Sequence, residues 1–229
     1  MVEDSSNIDV SINLKWAKPR VCADGNRGME MLSATAIVTG QDELTARWHQ
    51  DEQFDPECGE QWLRAVARQH RANFDLWHIE DEARRPSATD STLADVKRHI
   101  DRTNQLRNDL AEELDRLLLP WLEAQGLPNS DAPLNSESPG LIIDRLSILS
   151  LKIYHTRDEA ERPDASASHR ERNRQRLGIL EEQRCDLAGC LDALWRETLA
   201  GTRRFKLYQQ LKMYNDPELN PAIYGRNKG

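Results

Sequence analysis

Two long runs of helical periodicity, each ended by a proline, leave this chain little to fold into except a helical bundle. From Glu57 to Arg85 the side chains of Trp62, Val66, His70, Asn73, Trp77 and Asp81 recur at i+3 and i+4 steps, and Pro86 ends the run. A linker, PSATDS, offers Thr89, Asp90 or Ser91 as an N-cap. The second run carries Leu93, Val96, Ile100, Asn104, Arg107, Leu110 and Leu114 along one face and is expected to stop at Pro120. Both stripes are broken by polar residues at positions where a bundle needs apolar ones.

The remaining chain supports the same class. A short helix is expected over 41–51. Ser138-Pro139 reads as an N-cap followed by a proline at the first helical position, opening GLIIDRLSILSLKIYHTRDEAE with Ile142, Leu146, Leu149 and Ile153 on one face. A last long helix is expected over 168–199, with Gly201 as its C′ residue. No strand-like alternation of useful length follows residue 38, and there is no internal repeat. The expected architecture is an all-α bundle of about five helices. Residues 1–38 read as an irregular N-terminal segment, and 39–229 as a single all-helical domain with an extended C-terminal arm from about 203.

Composition limits the partners. A net charge of −8 disfavours nucleic acid and anionic membrane surfaces. No run approaches the roughly 18 apolar residues of a membrane span. The first residues, MVEDSSNIDVSINLKW, are acidic where a signal peptide is basic and lack an apolar core, so a cytoplasmic protein is expected. Cys22, Cys58, Cys185 and Cys190 show no C-x-x-C spacing and read as reduced thiols.

The polar interruptions carry the functional question. Helices joined by a short linker lie antiparallel, and a turn centred on 88–89 makes facing residue numbers sum to about 177. Asn73 then faces Asn104, His70 falls near Arg107 and Asn108, Asp81 near Lys97, and His78 near His99. Buried polar groups left unpaired cost roughly 1–3 kcal/mol each, so these residues either satisfy one another or line a cleft for a polar ligand. In the cleft reading, His70, Asn73, His78, Lys97, Asn104, Arg107 and Asn108 contact the ligand. Lys97 and Arg107 serve as anion contacts, Asp81 or Asp101 as acid or base, and Tyr214 and Asn215 of the arm close one side.

Metal readings are weaker. His78 and Asp81 have the reverse of the Glu-x-x-His spacing of di-iron bundles, and it occurs once. Glu80, Asp81, Asp101 and Asp109 could hold Mg²⁺ against a phosphate, or could be solvated acidic surface. Neither a P-loop, a G-x-G-x-x-G nor a G-x-S-x-G is present. The run HRERNRQR at 169–176 is interleaved with glutamate and reads as a solvated helix start. Asp144 and Arg145 stand beside the apolar stripe of their helix, with His155 three turns further on.

Four segments, NFDLWHIEDEARR (73–85), KRHIDRTNQLRNDLAEELD (97–115), LNSESPGLIIDRLSILSLKIYH (134–155) and LKMYNDPELNPAIYG (211–225), resemble the bacterial family known as domain of unknown function 4254. The likeness covers most of residues 40–225. Genes of that family tend to lie among glycosyltransferase genes, which implies a part in surface polysaccharide or lipopolysaccharide assembly and no particular chemistry. Three functions are therefore expected to compete. The first is an accessory or biosynthetic protein that binds an anionic sugar or nucleotide through Lys97, Arg107 and the Asn73/Asn104 pair. The second is a Mg²⁺-dependent phosphohydrolase of a nucleotide or sugar phosphate, using Glu80, Asp81, Asp101 and Asp109. The third is a non-catalytic protein that docks a glycosyltransferase.

Overall fold

The structure is a computed structural model that describes residues 32–56, 60–211, 218 and 219. The described residues contain five helices: α1 (Ala34–Gln50), α2 (Gln61–Glu82), α3 (Asp90–Glu123), α4 (Pro139–Glu161) and α5 (Ala167–Leu199). Extended pairing among those residues is confined to one isolated parallel bridge, Leu134 with Arg204. The fold is an all-α bundle. No helix among the described residues is long and apolar enough to cross a membrane.

Helix boundaries follow local chemistry. Ser33, Thr89, Ser138 and Ser166 each cap a helix by accepting a hydrogen bond from a backbone N–H three residues on, at 3.2 to 3.5 Å. Gly201 closes α5 with φ +70°, and the amide of Thr202 donates to the Glu197 carbonyl at 2.9 Å. Gly126 does the same for α3, where the Leu127 amide reaches the Leu122 carbonyl at 2.9 Å.

The helix expected over 57–85 is shorter at both ends, Gln61–Glu82, and two other boundaries differ in a telling way. First, α1 starts at Ala34, so the border drawn between an irregular segment 1–38 and the helical domain falls inside a helix. The β-branched residues Thr35, Ile37 and Val38 lower helix propensity, but burial of Leu32, Ala34 and Ile37 in the core overrides it. Second, α3 passes through Pro120 to Glu123. Proline removes one N–H and frees the carbonyl of Arg116, an exposed residue, so the loss falls on the solvent side of the helix.

α4 is the centre of the bundle and packs against each of the other four helices. One apolar cluster brings together Ile37, Val66, Leu118, Leu146, Leu191 and Trp195, and Phe205 of the tail joins it with 1% of its surface exposed. A second gathers Leu44, Trp48, Ala67, Phe74 and Leu151. Along α1 and α2 the chain passes from the first cluster to the second through buried polar residues: Gln41 and Thr45 on α1, and Gln69, His70 and Asn73 on α2.

The start of α4 is pinned to α3. Asp115 accepts the Gly140 amide at 2.8 Å, and burial pushes its carboxyl up to about 6 against the opposing hydrogen bonds from Ser138 and Gly140. The approach is so close that a Cβ on Gly140 would lie 2.1 Å from the Ala111 carbonyl oxygen. The C-terminal segment adds a strap. Arg204 bonds to the Ala132 and Pro133 carbonyls, and the Gln210 amide donates to Glu112 on α3 at 2.7 Å.

Gly140→Ala is accordingly expected to destabilise the protein by about 1–3 kcal/mol or more, because the backbone of α3 must move. Gly189→Ala, where a Cβ meets nothing within 4 Å, should be neutral or stabilising by up to about 1 kcal/mol. Urea denaturation of both variants checks the contrast.

Candidate functional site

The polar residues of α2 turn to α4. Asp144 is 6% exposed, and its Oδ1 accepts from Gln69 Nε2 at 2.6 Å and from Asn73 Nδ2 at 2.9 Å. Its Oδ2 meets Arg107 Nη2 of α3 at 3.2 Å. Asn73 uses its second amide proton on Ser147 Oγ at 2.9 Å. Ser147 continues to His70 Nδ1 at 2.7 Å, and His70 Nε2 meets Thr45 Oγ1 of α1 at 2.9 Å. One connected network therefore ties four helices together inside the core.

Electrostatics within the network follow from burial. Burial raises the Asp144 carboxyl above its ordinary value, while Arg107, Asn73 and Gln69 pull it back. His70 is fully buried between two hydroxyls, and burial lowers its imidazole to about 3, with a smaller opposing effect from the Gln41 carbonyl. Each hydroxyl can donate or accept, so a neutral ring is satisfied in either tautomer.

Where the network meets the surface, a cavity of about 330 Å³ opens between α2, α3 and α4. Asn73, Trp77, Glu80, Asp81, Arg84 and Arg107 line it. Arg107 gives Nη2 to Asp144, yet its Nε is buried without a hydrogen-bond partner. Arg84 reaches Glu80 at 3.0 Å on the exposed rim.

On another side of α2, three histidines from three helices meet: His49, His78 and His155, with one potential ligand nitrogen of each within 4.8 Å of the others. Burial lowers His155 to about 4 and lowers His78, and the neighbouring His49 adds to both shifts. Asp81 opposes both. Trp77 belongs to the cavity wall and also stacks on His155, with ring centroids 4.7 Å apart and planes 2° from parallel.

Several predicted site residues converge and others do not. Asn73, Arg107, Glu80 and Asp81 share the cavity. His70 lies in the network behind it. His78 lines a second, larger cavity together with His99, the neighbour that antiparallel pairing assigned to it. Lys97 is exposed and ion-paired to Asp101 one turn on, while Asp109 takes the Gln105 amide at 2.8 Å. Neither Lys97, Asp101 nor Asp109 lines the Arg107 cavity. Asn104 is half-buried and Asn108 buried on α3. Tyr214 and Asn215 lie outside the described residues, as do Cys22 and Cys58; Cys185 and Cys190 are exposed free thiols.

The sequence did not single out Gln69, Ser147, Thr45 or His49. Gln69 and Ser147 stand beside stripe positions on their helices, and a stripe drawn at single positions passes them by. Asp144 was visible as a charge beside an apolar stripe, a signal that identifies burial without naming the donors.

His70 sets a pH dependence whose sign follows from its lowered value. An imidazole that stays neutral in the folded chain contributes stability fully above pH 6.5, and loses it as acid protonates the unfolded chain between pH 6.5 and about 3. The stability difference between wild type and His70→Gln should therefore shrink below pH 6.5 by up to about 1.4 kcal/mol per pH unit. Urea titrations at a series of pH values measure it, and a constant difference would contradict a neutral His70.

Comparison with known proteins gives one match. A family described as "Protein of unknown function (DUF4254)" matches residues 63–207, from early α2 through the strap that follows α5. The match takes in Asn73, Arg107, Asp144 and Ser147 and excludes Thr45 and His49 on α1. No curated protein and no solved structure matches the chain. Since the matched segment is more than half of the 229 residues, the chain belongs to the DUF4254 family.

Proposed function

We propose that the protein binds a small phosphorylated ligand, of the sugar-phosphate or nucleotide-sugar class, in the cavity between α2, α3 and α4. The observation that carries this reading is Arg107. A guanidinium whose Nε–H is buried and unpartnered beside a cavity is a donor waiting for an acceptor, since an unsatisfied buried donor costs about 1–3 kcal/mol. A phosphate or carboxylate supplies that acceptor in the geometry guanidinium favours. Asn73 is already committed to Asp144 and Ser147, so its part is to hold the wall in place. Trp77 adds an indole surface suited to stacking against a base.

The setting proposed is surface polysaccharide or lipopolysaccharide assembly in bacteria, carried by the family resemblance. Phosphorylated and nucleotide-linked sugars are the soluble anionic ligands of such chemistry. A hydrolytic version of the same reading has its own support in Glu80 and Asp81, two carboxylates that share the cavity with Arg107 and could hold Mg²⁺ against the ligand's phosphate. Asp101 and Asp109 lie outside this cavity, which leaves the proposed metal set with two members.

Thermal-shift titrations with nucleotides, nucleotide-sugars and sugar phosphates, each with and without Mg²⁺, test the proposal. A ligand at a hundred times its dissociation constant should add about 2.7 kcal/mol. Arg107→Met should abolish that gain, while Arg98→Met on the exposed face of α3 should leave it intact. A Mg²⁺-dependent gain that is lost in Asp81→Asn would favour hydrolysis and call for a turnover assay. A flat panel would reject ligand binding and turn attention to a docking role with a protein partner.

A further inference from the structure

We infer that His49, His78 and His155 form a binding site for a first-row transition-metal dication of the Zn²⁺ class, distinct from the Arg107 cavity. The three residues come from three helices and meet where the end of α1 crosses α2 and α4. Their ring centroids are 5.0 Å (His49 to His155), 5.1 Å (His49 to His78) and 5.8 Å (His78 to His155) apart. One potential ligand nitrogen from each lies within 4.8 Å of the other two. A tetrahedral ion with Zn–N bonds of about 2.0–2.1 Å needs its nitrogens about 3.3 Å apart.

Two further observations point to a ligand in place of simple aromatic packing. Nε2 of His78 and Nε2 of His155 are both buried without a hydrogen-bond partner, which is costly for an imidazole and is relieved by an ion shared between them. His49 Nδ1 lies 2.7 Å from the Thr45 carbonyl, which can only accept, so Nδ1 donates, and in the neutral ring Nε2 is left with the lone pair. A metal-binding histidine is commonly oriented in this way, with its other ring nitrogen donating to a backbone carbonyl. The rings are also held by aromatic neighbours: Tyr154 stacks on His49 at 4.3 Å, Trp77 on His155 at 4.7 Å, and Phe74 meets His78 edge-on at 4.5 Å.

The donor set selects the ion. Three imidazoles and no carboxylate among the three ligands suit Zn²⁺, Co²⁺, Ni²⁺ or Cu²⁺ and suit Mg²⁺ poorly. The negative end of the α1 dipole, one residue beyond His49, favours a cation there. Three protein ligands leave a fourth position open, as in catalytic zinc sites. His49 and His78 both line the cavity of about 870 Å³ that also reaches His99 and Arg71, so a water or an anionic ligand has a route to that position.

The test is metal binding by the full-length protein, stripped with a chelator and free of any histidine tag. Titration with Co²⁺ should give the visible absorption of a tetrahedral complex, saturating near one equivalent, and Zn²⁺ should displace it. His49→Gln changes an exposed residue and should retain the fold while weakening Co²⁺ binding by about tenfold or more; His78→Gln should do the same. The melting temperature of each stripped variant reports folding independently of the metal. Absence of saturable binding by Co²⁺, Zn²⁺ and Ni²⁺ overturns the inference. So does binding of unchanged affinity in both variants, which would locate the ion elsewhere. The outcome does not depend on the Arg107 ligand, because no nucleotide or sugar is added.

Discussion

The buried carboxylate of Asp144 is the constraint around which this bundle is arranged. A carboxylate on the central helix, taken out of water, is tolerable when its oxygens are surrounded by donors, and here Gln69, Asn73 and Arg107 supply them from α2 and α3. The donors have to be at fixed heights, so the network sets the register of α2 and α3 against α4 where apolar packing alone would tolerate sliding. Ser147 and His70 extend the same requirement to α1 through Thr45. This network is at once the reason the helices meet as they do and the back wall of the cavity, and a change in either function is felt by the other.

The placement of Asp144 depends in turn on how α4 begins. Ser138 and Pro139 start the helix, Asp115 fixes its first turn to α3, and the missing side chain of Gly140 lets the two backbones touch. Asp144 stands one turn beyond Gly140. A shift of α4 along its axis would carry the carboxylate away from Gln69 and Asn73, so the glycine acts on the site from a distance, through geometry alone.

Much of this fold is legible in the sequence, because the signals involved are local. Ser138-Pro139, Thr89 and Gly201 mark helix ends through hydrogen bonds within a few residues, and the structure puts helix ends there. The exceptions are also local. The β-branched residues around Ile37 argue against a helix that burial then imposes, and Pro120 ends a helix in pattern but not in space, because the carbonyl it frees belongs to an exposed residue, Arg116. The candidate site was less legible. Periodicity showed that Asn73 and Arg107 occupy core positions, yet it could not name their common partner, since α4 is buried by all four other helices and its faces look alike. His49 was harder still: it is exposed, stands near the end of a short helix, and joins His78 and His155 through tertiary structure, with no spacing for a motif to register.

Trp77 stands between the cavity and the histidine cluster. Its indole lines the Arg107 cavity and lies flat against His155. If both proposals hold, a ligand that displaces the indole would move the surface on which His155 rests, and an ion that fixes His155 would narrow the positions the indole can take. Asp81 repeats the connection in charge: it lines the cavity, and its carboxylate acts on both His78 and His155. The proposed ligand cavity and the proposed histidine site therefore share one ring and one carboxylate of α2.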